Sequence, residues 1–253
     1  MQPTLRMLLI LCPFTFLAGF VDSVAGGGGL ISLPAYYLAG LPPHLAAGTN
    51  KLSAGLGTIA ASGRFIAGGK VSWRVALLSA LGALPGSWLG TTVQLHIPAD
   101  MVRVMMLCVI PVVAFVVLDK RASLERSVTL KSWQEATISL AIGLAIGFYD
   151  GLVGPGTGTF LIIMFTLLLG LSTVHASGTA KLVNLASNMA ALVTYAMAGQ
   201  VMYGLGIPAA ACAIAGNLLG AGMTIRRGTG FIRKMLLVVL ALLLAKMLWD
   251  VVS

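Results

Sequence analysis

Apolar residues run through this chain in stretches of helical length, cut by a small set of glycines and charges. Five runs follow one another in the first half. Segment A covers about Leu5 to Val21, B about Leu30 to Leu41, C about Leu52 to Ala67, D about Val75 to Val93 and E about Met101 to Leu118. A polar connector, about 119–133, carries Asp119, Lys120, Arg121, Glu125, Arg126 and Lys131. Five more runs, A′ to E′, occupy about 134–149, 159–171, 182–198, 205–225 and 231–249. Apolar stretches of this kind, repeated along a chain, predict an all-α polytopic membrane protein, because roughly 20 apolar residues of helix cross a bilayer. B and B′, at about 12 residues, are too short to span comfortably and are expected to enter and return with A and A′. The span count then falls between about six full spans with two hairpins and about ten.

The halves share more than hydropathy. Gly19, Phe20, Asp22, Gly26 and Gly28 correspond to Gly147, Phe148, Asp150, Gly154 and Gly156. After a two-residue gap, Gly48-Thr49-Asn50-Lys51-Leu52 matches Gly178-Thr179-Ala180-Lys181-Leu182. At that same offset Gly69, Val71, Gly86, Leu89, Gly90 and Arg103 match Gly199, Val201, Gly216, Leu219, Gly220 and Arg233. Agreement at Gly, Asp, Lys and Thr, rather than at interchangeable Leu and Val, indicates a duplication. The chain reads as a single transmembrane domain over 1–253, with repeat 1 at about 5–118, a linker at about 119–133 and repeat 2 at about 134–250.

Cation placement orients the repeats. The C–D connection holds Arg64, Lys70 and Arg74, the linker holds Lys120, Arg121, Arg126 and Lys131, and the last connection holds Arg226, Arg227, Arg233 and Lys234. Putting all three connections on the cytoplasmic side, as the positive-inside rule asks, requires an even number of crossings between them. Lys181 then falls on that side too, while Arg6, Lys51, Arg103 and Lys246 lie on or toward the other. An odd number of elements per half makes the two repeats inverted, with both termini facing outward.

Composition agrees with this solvent. The chain is 58% hydrophobic and 9% charged, with mean hydropathy +0.98, against about 25% charged residues in a soluble domain. The net charge of +9 does not make a nucleic-acid partner, since the cations sit between apolar runs. Arg6, the run after it and Ser23-Val24-Ala25 imitate a signal peptide, but the pattern returns in mid-chain, where none can be. Cys12, Cys108 and Cys212 lie within apolar segments and read as small packing residues. Glycines at four-residue spacing, Gly82, Gly86 and Gly90 in D and Gly216 and Gly220 in D′, predict close helix contact. Trp73, Trp133, Tyr203 and Trp249 stand near segment ends, as interfacial anchors do.

Four groups carry candidate chemistry. Asp22 and Asp150 occupy equivalent positions, and an acid at membrane depth costs roughly 2.5–3.5 kcal/mol on insertion scales. They are expected either to support the backbone break that follows, as caps, or to carry a coupling ion. Gly26, Gly27 and Gly28, and Gly154, Gly156 and Thr157 around Pro155, form the breaks themselves. A broken backbone at membrane depth survives only when buried in protein or lining a cavity, and the helix after it starts with unpaired N–H groups that favour an anion. Plain turns between helices are the alternative. Thr49, Asn50 and Lys51, with Thr179 and Lys181, open C and C′, and Lys181, Asn184 and Asn188 share one helix face at i, i+3 and i+7. These contact substrate, or else the lysines snorkel and the amides bond between helices. His44, His96 and His175 read as loop histidines. No nucleotide motif, metal-ligand spacing or catalytic pair is present, so no cofactor, no metal and no enzymatic activity are expected.

The double motif, Gly19-Phe20-Val21-Asp22-Ser23-Val24-Ala25 with Gly26 to Gly29 and then Ala47-Gly48-Thr49-Asn50-Lys51, echoed at Gly147–Gly158 and Gly178–Lys181, resembles the sulfite exporter TauE/SafE family over roughly residues 8–250. The resemblance implies a bacterial inner-membrane, multi-pass permease for a small anion, often a sulfur oxyanion or organosulfonate such as sulfite or sulfoacetate. Its partners would be that anion and the lipid bilayer, with room for a homodimer. Ala180 in place of a second Asn50, and Pro155-Gly156-Thr157-Gly158 in place of a plain glycine run, depart from a symmetric pattern. A passive anion channel and a non-transporting membrane assembly or sensor protein are the alternatives.

Overall fold

A computed structural model of the chain describes residues 4–102, 104, 105, 108 and 128–252, with the side chains of 229 and 232–252 left aside. Most of segment E, the linker to residue 127 and Arg103 lie outside the described residues, as do the side chains of Arg233, Lys234, Lys246 and Trp249. Among the described residues there is helix and no strand. The first half forms α1 (Leu5–Ala25), α2 (Gly29–Leu38), α3 (Pro43–Ala67) and α4 (Trp73–His96). The second forms α5 (Ser132–Leu152), α6 (Thr157–Leu169), α7 (Thr173–Met197) and α8 (Tyr203–Val252), the last interrupted by non-helical backbone at Gly228.

Among the described residues, four helices are long and apolar enough to cross a membrane: α1, α4, α5 and Tyr203–Gly228 of α8. α3 and α7, at 25 residues each, are long enough but polar. α3 buries Thr49, Asn50, Lys51, Ser53, Thr58 and Ser62, and α7 buries Thr179, Lys181, Asn184, Ser187 and Asn188. In lipid such residues must face protein. Accordingly α3 packs among α8, α7 and α1, and α7 among α4, α3 and α6. α2 and α6 are the short B and B′ elements, 10 and 13 residues long.

C and C′ begin earlier than their hydropathy suggests. α3 starts at Pro43 and α7 at Thr173, each nine residues before the expected Leu52 and Leu182. Pro42 and Ser172, both in extended backbone, mark these starts, and Pro43 sits at the first helical position, where its missing N–H is no loss. Lys51 and Lys181 therefore lie two turns inside their helices rather than at the mouth. The histidines are corrected likewise. His44 and His175 lie in the first turns of α3 and α7, and His96 ends α4.

The glycine seams give the helix directions. A Cβ on Gly82, Gly86 or Gly90 of α4 would come within 2.4 Å of the carbonyl oxygens of Leu140, Leu144 and Phe148 of α5. The numbers rise together, so α4 and α5 run parallel. Gly216 and Gly220 of α8 meet the Phe16 and Phe20 carbonyls of α1 in the same way, so α1 and α8 are parallel too. α3 follows α8, with Gly48 beside Gln200, Gly57 beside Ala213 and Gly68 beside Ile225. α4 follows α7, with Ser87 bonded to Ser187 and Gln94 to Tyr195. α3 and α7 are antiparallel: Gly48 meets Tyr195, Gly55 meets Met189 and Phe65 meets Gly178.

These contacts gather charge at one end. Arg74 bonds the Ser132 carbonyl at 3.0 Å and pairs with Glu135 at 3.6 Å, joining the starts of α4 and α5. Lys70 meets Gly178 at the start of α7, and Arg64 covers Gly222 beside Arg226 and Arg227. The opposite end holds Arg6, His44, His96 and Asp100. Trp73 and Trp133 stand exposed at the basic end and Tyr203 at the other, where amphipathic rings suit a membrane interface.

Candidate functional site

The site is built where the chain gives up its helices. α1 ends when the Gly26 N–H bonds back to the Asp22 carbonyl at 2.9 Å and Gly26 turns to φ 76. That left-handed backbone costs glycine nothing and other residues roughly 1–2 kcal/mol. α2 then starts at Gly29 behind an N-cap glycine, Gly28, and α6 starts at Thr157 behind Gly156; neither has a side-chain cap. Among the described residues no acceptor meets the amide N–H groups of Gly27, Gly28 and Gly29 or of Gly156, Gly158 and Thr159.

The two breaks touch, and the open helix starts beside them come close, a Cβ on Gly29 lying 3.3 Å from Pro155 Cα. A Cβ on Gly26 would lie 2.2 Å from the Gly158 carbonyl carbon, and one on Gly158 would lie 2.6 Å from Gly26 Cα. Thr159 Oγ1 donates to the Ala25 carbonyl at 2.7 Å across the crossing. Only glycine permits this approach, and it brings two positive helix ends to one place.

Beside the crossing lie two buried ion pairs, each linking one half of the chain to the other. Lys51 Nζ is 2.7 Å from Asp150 Oδ2, and Lys181 Nζ is 2.5 Å from Asp22 Oδ2. The lysine side chains are 8% and 2% exposed, so neither snorkels to an interface. Asp150 also accepts from Ser187 Oγ at 2.7 Å and Thr157 Oγ1 at 2.8 Å. A buried pair of this kind adds little net stability, but removing one partner strands a charge.

A cavity of about 700 Å³, counting its opening to solvent, runs between these groups. Of the residues singled out from sequence, Gly26, Gly28, Asn50, Lys51, Gly154, Gly156, Thr157, Asn184, Asn188, Asp22 and Asp150 line it. Gly27 does not, though it belongs to the same turn, and Lys181 sits behind Asp22. Thr49 and Thr179 are also off the cavity. Thr49 Oγ1 accepts from the Met202 N–H at 2.9 Å and Thr179 Oγ1 from the Ser72 N–H at 3.0 Å, so each fastens the loop before α8 or α4. Asn188 donates to Asn184 Oδ1 at 3.3 Å, while the buried Asn50 Oδ1 has no partner among the described residues.

Sequence reasoning passed over Asn217, Ser23, Gln94 and Tyr195. Asn217 accepts from Ser23 Oγ at 2.7 Å and donates to the Ala213 carbonyl at 3.0 Å, on the cavity wall. Tyr195 donates to Gln94 Oε1 at the opposite end. An amide following the repeated Gly216, inside an otherwise apolar run, was the available signal. The ion pairing itself had no local signal, because 99 and 159 residues separate the partners.

Comparison with known proteins agrees over nearly the whole length. The profile of the family described as Sulfite exporter TauE/SafE matches residues 11–247. A Haemophilus influenzae protein named "Probable membrane transporter protein" is 34% identical over 246 residues, covering 96% of this chain and 95% of its own. The Escherichia coli K12 "Probable membrane transporter protein YfcA" is 33% identical over 248 residues, with 96% and 90% covered. A Sinorhizobium "Probable membrane transporter protein ORF9" is 31% identical over 251 residues, with 97% and 94% covered. No solved structure matches.

Proposed function

Because the chain belongs to the sulfite exporter TauE/SafE family, as a membrane transporter with several passes through the bacterial inner membrane, we propose that it is a secondary transporter for a small anion, a sulfur oxyanion or organosulfonate such as sulfite or sulfoacetate. The observation that carries this is the contact of Gly26 with Gly158. It aims two uncapped helix starts at one cavity that also holds Lys51. Free N–H groups at helix starts are anion donors, and a lysine adds full charge. Gly28, Gly156, Thr157, Asn50, Asn184 and Asn188 would complete the polar wall.

Helix directions favour inverted repeats. α1 and α3 both follow α8, α4 and α5 both follow α7's direction, and α3 opposes α7. α1 and its counterpart α5 then run oppositely. The gathering of Arg64, Lys70, Arg74, Lys131, Arg226 and Arg227 at one end favours the cytoplasmic side for that end. Inverted repeats meeting at broken helices suit alternating access, with the two halves rocking about a central site. Both halves then serve one transport unit.

The test is uptake of labelled sulfite and sulfoacetate into proteoliposomes, with counterflow exchange measured alongside. A carrier shows counterflow, and Lys51→Ala abolishes it. Flux without counterflow would make the protein a passive channel. Absence of flux and of any anion-dependent shift in melting temperature would favour an assembly or sensor role. Cysteines introduced at the equivalent positions Lys70 and Gln200 should label from opposite faces of the membrane, and labelling from one face would sink the inversion.

A further inference from the structure

The two buried acids occupy equivalent repeat positions but are held differently, and the difference bears on what moves with the anion; the inference rests on the anion-transport reading above. Asp150 accepts from Lys51 Nζ, Ser187 Oγ and Thr157 Oγ1, and its side chain is 3% exposed. Asp22 meets Lys181 alone among the described residues, is 14% exposed and lines the cavity. The reason lies in the sequence. At the repeat offsets, Gly29 stands where the second half has Thr157, and Gly57 where it has Ser187. Asp22 therefore lost, or never had, the two hydroxyls that fix its counterpart.

Charge completes the argument. Lys51, Lys181, Asp22 and Asp150 sum to zero, so a monovalent anion entering alone brings an unbalanced charge into a poorly solvated site. A proton taken from water by the Asp22 carboxylate makes it a neutral acid. Lys181, behind Asp22, then carries an unbalanced positive charge, which an anion in the cavity beside Asp22 and Lys51 offsets across the neutral acid. On release the proton returns to water and the Asp22–Lys181 pair re-forms. One proton and one monovalent anion have crossed, with no charge left over.

The charged groups facing Asp22 from the packed helices are Lys181 of α7 and, across the cavity, Lys51 of α3, which Asp150 holds. α2, α6 and α8 offer glycines, Thr159 and Asn217 there, while Arg64 of α3 lies over Gly222 of α8. Cys12 and Cys212 meet well toward the start of α1. We propose that Asp22 is the proton-binding site that couples anion movement to the proton gradient, and that Asp150 is a fixed counter-charge for Lys51.

The test uses the full chain in proteoliposomes loaded with a pH-sensitive dye, with isethionate and sulfite as probes. Isethionate stays a monoanion, so protons that move with it are the protein's. Wild type is expected to carry protons with isethionate and to accumulate it down an imposed pH gradient. Asp22→Asn removes the titrating group, so it loses both proton movement and gradient-driven accumulation, whereas Asp22→Glu, which keeps one, retains both. Isethionate flux without protons in wild type overturns the inference alone and leaves the anion reading standing. So does an Asp22→Asn protein that still accumulates isethionate, an Asp22→Glu protein that folds but does not, or uncoupling by Asp150→Asn in its place. Should Asp22→Asn fail to fold, Asp22→Glu, which keeps a titrating group, must retain proton-linked transport, and its failure to do so overturns the assignment. No flux with either probe sinks the anion reading and this inference together.

Discussion

Replacing Gly158 by alanine adds one methyl group where Gly26 already stands. The new Cβ would lie 2.6 Å from Gly26 Cα and 2.9 Å from its carbonyl oxygen. Carbon atoms attract at about 3.5–4.0 Å, so the two breaks would have to part by about 1 Å. Overpacking of this kind costs roughly 1–3 kcal/mol. Gly158 has ordinary helical backbone, so that cost is contact alone. Gly26→Ala carries the same contact, with its Cβ 2.2 Å from the Gly158 carbonyl carbon, and adds the strain of φ 76, roughly 1–2 kcal/mol. Gly40→Ala isolates the strain, since Gly40 sits at φ 88 with nothing within 4 Å. Thermal unfolding in one detergent should therefore rank Gly26→Ala as the most damaging, with the other two between it and wild type. Counterflow in proteoliposomes should suffer in Gly26→Ala and Gly158→Ala and survive in Gly40→Ala. If Gly158→Ala melts and transports like wild type, or Gly26→Ala is no worse than Gly40→Ala, the two breaks do not touch and the site has been built on a wrong contact.

Three further outcomes follow from the geometry. Lys51→Met strands Asp150 in the interior and should lower stability by about 3–5 kcal/mol, with most of the loss restored in Lys51→Met/Asp150→Asn; melting curves of the single and double variants check this. Thr49→Val and Thr179→Val each leave a backbone N–H, of Met202 or Ser72, without its acceptor. Both should lose about 1–3 kcal/mol of stability, while the anion-dependent shift in melting temperature persists; loss of that shift at unchanged stability would return the threonines to the binding site. Gly143→Ala puts a Cβ 1.9 Å from the Ser79 carbonyl oxygen and Gly216→Ala puts one 2.0 Å from that of Phe16. The two seams should therefore fail alike, by roughly 1–3 kcal/mol, in the same melts.

Much of the architecture was legible because matching residues recur in the two halves of the sequence. The short B and B′ runs became α2 and α6, and the four-residue glycine spacing in D and D′ became the seams against α5 and α1. Hydropathy misplaced the starts of α3 and α7 because it scores Thr49-Asn50-Lys51 as a boundary. Inside a protein those polar residues are satisfied by neighbours, and the helix runs through them. The same blindness hid the ion pairs. Local sequence showed two acids and two lysines as four separate oddities, each with its own explanation as a cap or a snorkelling chain. Their pairing depends on which helices lie together, and α7 meets α1 only because both pack on α3 and α8. Thr49 and Thr179 were conspicuous for their repetition, but repetition reports a shared structural task as readily as a shared ligand, and here each hydroxyl holds a loop.

The ion pairs also explain why the two halves need each other. Within its own half, Lys51 has no acid at membrane depth except Asp22, which Lys181 holds, and the converse is true of Lys181 and Asp150. Each half alone would bury an unpaired lysine and an unpaired acid; joined, each supplies what the other lacks. The links run between α1 and α7 and between α3 and α5, elements of opposite halves. Any rocking of one half against the other must carry these pairs intact or open them. On the anion-transport proposal, an anion between the halves would compete with a carboxylate for its lysine, so its binding and the relative movement of the halves would act on the same bonds. The glycines at 29 and 57 make that competition unequal. Asp150 has two hydroxyl contacts besides its lysine, whereas Asp22 has none among the described residues, so on that proposal the Asp22 pair would open first.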